Sequence, residues 1–487
     1  MSKEVRNLEP SGLWNSFADL NAVPRASKKE ERVIAWAKGV GESLGFETIV
    51  DATGNVVIKK PATAGMENRQ TVIMQSHLDM VHQKNSDTNF DFATEGIKMM
   101  INGDWVKADG TTLGADNGIG VAAIMAVLKA TDIVHPAIEA LFTIDEETGM
   151  TGAKELDKTI LTGQIMLNLD TEEDNELCIG CAGGMDTNTT MRYEQKAPKS
   201  NDVAYQLSVT GLKGGHSGME IHKGLGNANK LMNRLLYKMS YPFGLHVATI
   251  DGGSLRNAIP RESFATFVVA GDKKAAFLAE FEARKAAIVQ EFASMEPDLS
   301  LELATTPMPE KVAFAADQER MFQAIYAIPN GVFRMSPDIA DLVETSNNLA
   351  RVVVKDGQFI TQSLQRSSTE SGKYDICNMV AACFESIGAT VNNDGDYPGW
   401  APNAKSPVLK EMAHLYEEMF NEKPHIAACH AGLECGIIMN RYPGLDAISF
   451  GPTIRGAHSP DETVSVSSVQ KFWGFLMATL KNTPSKN

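Results

Sequence analysis

Residues 71–79 read TVIMQSHLD, and this stretch decides the fold class. An apolar run of strand length passes directly into His77 and Asp79, as is typical of a strand buried in the centre of a sheet. Helix-like stretches such as 118–131 lie between runs of this kind, which predicts an α/β fold with a mostly parallel sheet flanked by helices. Three further runs lead to acidic residues or a histidine: AIEALFTIDEE at 137–147, IMLNLD at 165–170, and LDAISFG at 445–451, followed by His458.

The pattern of apolar and polar residues changes near residue 186. Beyond that point, segments with the alternating pattern of a strand, such as 205–209, are interspersed with amphipathic stretches, such as 229–239. This pattern predicts an inserted α+β domain. A helical pattern resumes at 406–420, after a turn-rich stretch. We therefore predict one domain built from residues 1–185 and 400–487, interrupted by a second domain at 186–399.

The length of the chain predicts how many domains it has, and its net charge argues against some classes of partner. A chain of 487 residues exceeds the size at which a single core stops growing, so at least two domains are expected. The formal net charge of -16 repels phosphate backbones and anionic membrane surfaces, which argues against nucleic-acid and membrane partners. The first residues lack the basic and apolar regions of a secretion signal. We expect a cytoplasmic protein.

The ends of the apolar runs carry the candidate functional residues. Because sites in α/β folds form at the carboxyl ends of the strands, His77 and Asp79 are placed where a site is expected. Residues two apart on a strand face the same way, so Asp79 can accept a hydrogen bond from the ring nitrogen of His77 that faces away from a metal. Taken alone, this histidine–aspartate pair is a weak signal.

Two other acidic features each have a structural alternative. Asp116 precedes a long apolar helix, and either Asp116 or Asn117 could simply cap its first turn. The adjacent carboxylates of residues 145–147 repel one another unless they are solvated or neutralised by a cation, and a solvated turn is the alternative. Jointly, carboxylates and histidines at four strand ends favour a metal site. Their number suggests two metals bridged by a carboxylate.

The inserted domain contributes a further histidine and two residues that could bind a substrate. His216 lies in KGGHSG at 213–218, where glycines let the backbone approach a ligand, although a simple turn histidine is the alternative. Asn257 and Arg366 could clamp a substrate carboxylate or could be surface residues. The sequence has no phosphate-binding loop, which argues against nucleotide binding, and no GxSxG elbow, which argues against a serine nucleophile.

Seven motifs taken together resemble the aminoacylase and carboxypeptidase-like family of di-zinc exopeptidases, in order and over nearly the whole chain. The resemblance implies that the interrupted domain is catalytic and that the insertion is a lid domain. The motifs are QSHLDMV, GTTLGADNGIG, DEETGM, LNLDTEE, KGGHSG, LRNAIPRE and GPTIRGAHSPDE.

The resemblance also implies a metal-ligand set and a general base. One zinc ion would be held by His77, Asp116 and Asp170. The other would be held by Asp116, Glu147 and His458, so that Asp116 bridges the two ions. Cobalt or manganese could replace zinc in such oxygen-rich sites. Glu146 would be the general base, and Asp79 would orient His77.

Residues of the inserted domain receive roles towards the substrate from the same resemblance. His216 would stabilise the tetrahedral oxyanion, and Asn257 and Arg366 would hold the carboxylate of the substrate. Gly432, in the loop 430–434, would line the substrate pocket.

The implied activity is hydrolysis of dipeptides, and the motifs are most similar to those of family members that cleave Xaa-His substrates. An aspartate at position 170, where other members have glutamate, goes with dipeptidase action. The resemblance also suggests a homodimer. An N-acyl-amino-acid amidohydrolase or tripeptidase of the same family is one alternative. A non-catalytic, metal-stabilised binding protein is another.

Overall fold

The computed structural model describes residues 2–486, which form two compact units. Unit 1 contains the described residues up to 180, residues 402–428 and those from 433 onward, and unit 2 contains residues 181–401 and 429–432. The predicted boundaries after residues 185 and 399 lie close to these divisions. The sequence did not indicate that 429–432 belongs to unit 2. The roles of catalytic and lid domain stay predictions.

An eight-stranded sheet forms the centre of unit 1. Its four central strands are mutually parallel, and the strand on either side of them, Val56–Lys60 or Glu176–Cys181, pairs antiparallel with the centre. The α/β fold class is therefore confirmed, with the parallel part confined to the centre of the sheet. In spatial order the strands are Glu47–Val50, Val56–Lys60, Ile138–Thr143, Val72–His77, Ile165–Asn168, Asp446–Ser449, Glu176–Cys181 and His425–Cys429.

Helices surround this sheet, because parallel strands are stable only when both faces are covered. The apolar helix Ala115–Lys129 is buried over nearly its whole length. None of the helices within residues 2–486 combines the length and apolar character needed to cross a membrane. The other helices of unit 1 are Ser2–Val5, Ser11–Leu20, Glu31–Ser43, Thr151–Glu155, Pro407–Phe420, Glu434–Arg441 and Val466–Lys481. A small sheet contains Ile454–Arg455, Thr463–Ser465, Trp105–Ala108 and Met99–Asn102.

Unit 2 contains a nine-stranded antiparallel sheet with helices packed against it, so it is of the predicted α+β type. Its own apolar core joins the sheet to the helices Ala228–Phe243, Lys274–Phe292, Ala315–Ala327 and Glu370–Glu385. The strands in spatial order are Ser300–Thr305, Val203–Thr210, Ser263–Val269, His246–Gly253, Val343–Lys355, Gln358–Ser367, Gly183–Arg192 and Thr390–Tyr397, and Gly331–Met335 pairs with Val343–Lys355.

Short elements complete unit 2. The two-residue strands Gly215–His216 and Ala258–Ile259 pair with each other, as do Gln195–Lys196 and Val312–Ala313. The 3-10 helices are Ile221–Lys223 and Gly271–Lys273. The first of these pairs places His216 opposite Ala258, and thus beside Asn257.

The parallel centre of the sheet in unit 1 explains where the candidate residues meet. His77 is the last residue of its strand, the acidic turn 145–147 follows Ile138–Thr143, and Asp170 follows Ile165–Asn168. Carboxyl ends of parallel strands point to one edge of a sheet, so these side chains converge there.

Candidate metal centre

Asp116 lies between two histidines and presents one carboxylate oxygen to each. Its Oδ1 is 3.2 Å from Nε2 of His77, and its Oδ2 is 3.0 Å from Nε2 of His458. Nε2 of His77 is also 3.6 Å from Oδ1 of Asp170, and Nε2 of His458 is 3.1 Å from Oε2 of Glu147. The carboxylate of Asp116 is thus shared by two groups of potential ligands.

Each group has the composition of a metal site. His77, Asp116 and Asp170 form one, and Asp116, Glu147 and His458 form the other, with ligand atoms within 4.8 Å of one another in each. Nitrogen and oxygen donors of this kind suit zinc and similar divalent ions. A carboxylate oxygen of Glu146 lies within the same distance of ligand atoms of His77 and Glu147. These are the residues that the resemblance assigns to the metals and the general base.

The two histidines carry the charge that balances the carboxylates. Hydrogen bonds to Asp116 and Glu147 raise the pKa of His458 to about 11, against the opposing effect of burial. Burial would lower the pKa of His77, but the charge of Asp170 and the hydrogen bond to Asp116 outweigh it and raise the pKa well above its usual value. Without a cation, protonated imidazoles therefore compensate the negative charge at this edge of the sheet.

The buried carboxylates at this edge of the sheet also need a proton or a cation to balance their negative charge. Burial raises the pKa of Asp170 and of Glu147, and it raises that of Glu146 further, with the charges of Asp170 and Glu434 adding to the effect. Oε1 of Glu147 and Oδ1 of Asp170 are buried and have no hydrogen-bond partner among residues 2–486. A buried carboxylate oxygen without a donor is costly, so a cation fits here.

Asp79 connects His77 to the acidic turn. Nδ1 of His77 lies 3.2 Å from the carbonyl oxygen of Asp79 and 3.4 Å from its Oδ1. The same carboxylate accepts hydrogen bonds from Oγ of Ser27 at 2.8 Å and from the backbone N–H groups of Glu146 and Glu147 at 3.0 and 3.3 Å. Asp79 therefore holds the imidazole and positions the two glutamates.

The acidic turn is not a solvated turn, so that alternative is wrong. Asp145 is buried, and its carboxylate accepts hydrogen bonds from Lys28, Thr148 and Thr151. The turn thus separates its acids, because Asp145 has its own donors while Glu146 and Glu147 face the ligand groups. A sequence pattern cannot assign such opposite directions to adjacent carboxylates.

The capping alternative for Asp116 and Asn117 is wrong as well. The carboxylate of Asp116 contacts the two histidines, and Nδ2 of Asn117 donates a 2.5 Å hydrogen bond to the carbonyl oxygen of Leu169. The amides at this helix start are instead capped by Glu462, which is more than 300 residues away in the chain. Sequence reasoning missed Glu462, since capping patterns are local.

Glu434, the last residue of the loop predicted to line the substrate pocket, lies buried beneath the ligands. Its Oε2 accepts hydrogen bonds from Nε2 of Gln75 at 2.7 Å and from Oγ1 of Thr143 at 2.6 Å, and Gln75 in turn accepts one from Asn168. The strands of Gln75, Thr143 and Asn168 lead to His77, to the acidic turn and to Asp170, respectively. Burial raises the pKa of Glu434 to about 8. The residue ties the three strands together.

In unit 2 the structure fixes the tautomer of His216. Nδ1 of this ring accepts hydrogen bonds from the backbone N–H groups of Gly218 and Met219, at 3.2 and 3.1 Å. A neutral imidazole whose Nδ1 accepts must carry its proton on Nε2. Burial, helped by the charge of Arg366, lowers the pKa of His216 to about 4. At neutral pH the ring is therefore an uncharged donor at Nε2.

The other predicted substrate residues also lie in unit 2, near His216. The carbonyl oxygen of Asn257 accepts a hydrogen bond from the N–H group of Ser217 at 2.8 Å. Arg366 is buried, its Nη1 donates to the hydroxyl of Tyr397 at 2.8 Å, and its Nε has no partner among residues 2–486. Gly432 follows His430, whose Nε2 lies 2.8 Å from Oγ of Ser346. The structure thus brings the buried guanidinium of Arg366 close to His216 and His430.

Comparison with known proteins identifies the family. The model of "Peptidase family M20/M25/M40" matches residues 73–482. The chain belongs to this peptidase family. Enzymes of the M20 family are metal-dependent, in agreement with the two ligand groups around Asp116.

Individual M20 peptidases are similar to the chain over its full length. It is 42% identical to the cytosol non-specific dipeptidase of Escherichia coli, with 99% of this chain and 100% of the relative covered. The crystal structure of aminoacylhistidine dipeptidase from Vibrio alginolyticus is 42% identical, with a TM-score of 0.93 and 100% of both chains covered. Aminopeptidase PepT from Bacillus cereus shares the fold at 17% identity and a TM-score of 0.56, with 97% and 98% covered.

Zinc binding to this M20 peptidase should release protons. His458, with a pKa raised to about 11, and His77 hold protons in the metal-free protein and must lose them to coordinate a cation. Affinity should therefore fall as the pH falls, by about tenfold per pH unit for each proton displaced. Calorimetric titration in buffers of different ionisation enthalpy measures the number of protons.

His458→Asn should release about one proton fewer, because it removes one of the rings that titrate. His414→Asn is the matched control, since His414 is exposed on the helix Pro407–Phe420 and should behave as the wild type. Zinc binding without proton release, at an affinity independent of pH, would contradict the ligand assignment.

Proposed function

We propose that the protein is a metal-dependent dipeptidase that hydrolyses the peptide bond of Xaa-His and related dipeptides. The observation that carries the proposal is the carboxylate of Asp116 between two ligand groups, with Glu146 beside them. The names of the two relatives at 42% identity, a non-specific dipeptidase and an aminoacylhistidine dipeptidase, support a dipeptide as the substrate.

The proposed cofactor is a pair of zinc ions, for which cobalt or manganese could substitute. His77, Asp116 and Asp170 would hold one ion, and Asp116, Glu147 and His458 would hold the other. Bound ions of this kind lower the pKa of water and polarise a carbonyl group. The unpartnered oxygens of Glu147 and Asp170 support this assignment.

Glu146 would move the proton in the reaction. Burial and neighbouring carboxylates raise its pKa well above that of a free glutamate, so it accepts a proton readily. A base with such a pKa can take a proton from the attacking water and pass it to the leaving amine. The backbone N–H group of Glu146 donates a hydrogen bond to Oδ1 of Asp79 at 3.0 Å, which supports a fixed position for the base.

His216 would donate a hydrogen bond to the oxyanion that develops on the scissile carbonyl. Its tautomer supports this role, because the proton resides on Nε2 while Nδ1 is occupied by two backbone donors. A neutral donor aimed at developing charge lowers the barrier more than it strengthens substrate binding.

Arg366 and Asn257 would bind the carboxylate of the dipeptide, and Gly432 would line its pocket. The buried guanidinium of Arg366 has an unpartnered Nε beside an Nη1 that is already held by Tyr397. A planar guanidinium suits a carboxylate because it can donate two parallel hydrogen bonds. We also propose a cytoplasmic location, supported by the name of the Escherichia coli relative, and a homodimer as the assembly.

The decisive experiment measures the release of free histidine from Xaa-His dipeptides by metal-stripped protein, with and without added zinc. Tripeptides and N-acetyl-amino acids serve as the comparison substrates. We expect zinc-dependent release from dipeptides alone. Glu146→Gln with the same zinc content should be inactive, which excludes a contaminating peptidase.

Each other outcome has a definite meaning. Cleavage of the tripeptides or the N-acetyl-amino acids instead of the dipeptides would identify the tripeptidase or amidohydrolase of the same family. Zinc uptake without cleavage of any substrate would identify a binding protein. Release that is indifferent to zinc and to Glu146→Gln would contradict the mechanism.

Replacement of His216 should separate turnover from substrate binding. His216→Ala should lower kcat by about 100- to 1000-fold with a much smaller change in KM, as for the loss of one oxyanion donor. Steady-state kinetics on a dipeptide measures both constants. His222→Ala is the matched control, since His222 is an exposed histidine of the same unit and should leave both constants unchanged. A His216→Ala enzyme with unchanged kcat would exclude the oxyanion role.

A further inference from the structure

The loop that carries Asp116 is held by one buried carboxylate from a distant part of the chain. Oε2 of Glu462 accepts hydrogen bonds from the N–H groups of Leu113 and Gly114 at 2.7 and 2.8 Å. Its Oε1 accepts from those of Ala115 and Asp116 at 2.7 and 3.1 Å. Four consecutive backbone donors therefore converge on a single side chain, which is 2% exposed. Charge-assisted hydrogen bonds of this kind are stronger than neutral ones.

A buried guanidinium holds the same loop from its carbonyl side. Nη2 of Arg25 donates a 2.5 Å hydrogen bond to the carbonyl oxygen of Gly114. Nη1 donates to the carbonyl oxygens of Leu78 and Asp79, at 3.1 and 3.0 Å. Arg25 thus joins the chain segment that follows His77 to the segment that precedes Asp116. Arg25 and Glu462 together are called the brace below.

Two glycines of this segment leave room for the guanidinium of Arg25. Gly114 has φ +69, and a Cβ atom at this position would lie 2.4 Å from Nη2 of Arg25. A Cβ atom at Gly118 would lie 2.6 Å from the same nitrogen. Only glycine allows the left-handed backbone at Gly114 together with so close an approach of the guanidinium.

The brace contacts the loop that sets the orientation of the Asp116 carboxylate between the two ligand groups. Asp116 must present Oδ1 to the group of His77 and Oδ2 to the group of His458, and a rotation of its loop would spoil both. Glu462 is also four residues from His458, so one chain segment carries a ligand of the second group and the cap of the loop of Asp116. Removing two charged side chains from water costs several kcal/mol per ion, and here their hydrogen bonds to the loop offset that cost.

We propose that Arg25 and Glu462 are positioning residues that hold Asp116 between the two ligand groups and thereby set the zinc affinity of the centre. The inference rests on the ligand role proposed above for Asp116. It goes beyond that role because neither brace residue contacts a metal or a substrate in the proposed mechanism.

The test measures the zinc dissociation constants of metal-stripped variants by competition with a chelating indicator, together with the absorption spectrum of the cobalt-loaded protein. Glu462→Gln turns one acceptor into an NH2 group that faces two backbone donors. We expect zinc to bind about 10- to 100-fold more weakly, as for other residues that orient metal ligands. We also expect a changed cobalt spectrum, which reports the ligand geometry directly.

Glu139→Gln is the matched control. Glu139 is a buried glutamate of unit 1 that likewise accepts backbone hydrogen bonds, from Thr162 at 2.8 Å and Gly163 at 3.0 Å. It lies near the start of the strand Ile138–Thr143, at the opposite end from the acidic turn. This variant should lose stability to a similar degree and should keep the zinc affinity and the cobalt spectrum of the wild type.

A second brace variant covers the case in which Glu462→Gln does not fold. Arg25→Lys keeps the charge, but one ammonium group cannot bond both chain segments as a planar fork does. It should weaken zinc binding in the same direction. Brace variants that fold and bind zinc as tightly as the wild type would overturn the inference. A wild-type protein that takes up no zinc would overturn the ligand assignment first, and the inference with it.

Discussion

The mutual repulsion of buried carboxylates at one edge of a sheet is the constraint on which the rest of unit 1 depends. Asp116, Glu147 and Asp170 meet within reach of two imidazoles. Two like charges about 4 Å apart repel by about 4 kcal/mol at the effective dielectric near a protein surface. The raised pKa values of His77 and His458 are the response of the metal-free chain, because protons on the two rings supply the missing positive charge. Divalent cations would replace those protons.

Holding such residues together requires support from outside the ligand set. Asp79 fixes both the ring of His77 and the amides of the acidic turn. Glu434 ties the three strands that deliver ligands, and Glu462 caps the loop of Asp116. Both carboxylate oxygens of Asp79 and of Glu462 accept hydrogen bonds, and Oε2 of Glu434 accepts two. The support comes from three distant parts of the chain, so it exists only in the folded state.

Much of this arrangement could be predicted from the sequence, because the information is local. Apolar strands that end in His77, in the acidic turn and before Asp170 predicted both the parallel centre of the sheet and the edge where the ligands meet. The antiparallel outer strands are a matter of pairing, which periodicity does not encode. The resemblance to a known family supplied the roles, and the comparisons confirm the family and the fold.

The residues that sequence reasoning missed share one property, which is that their partners are far away in the chain. Glu462 looks like a surface acid of a polar loop, yet it binds four amides near residue 115. Arg25 has no motif around it, and its burial follows only from the packing of two separate loops. The local alternative was that Asp116 or Asn117 caps the first turn of the helix that follows it. It fails because a distant carboxylate takes the amides and leaves the side chain of Asp116 free for the histidines.

The central claim is that Asp116 is shared by two metal ions, and anomalous diffraction from crystals grown with zinc tests it most directly. Data collected on both sides of the zinc absorption edge should give two peaks. One should lie against His77 and Asp170 and the other against Glu147 and His458, with the carboxylate of Asp116 between them. A single peak, or two peaks of which one does not contact Asp116, would contradict the account.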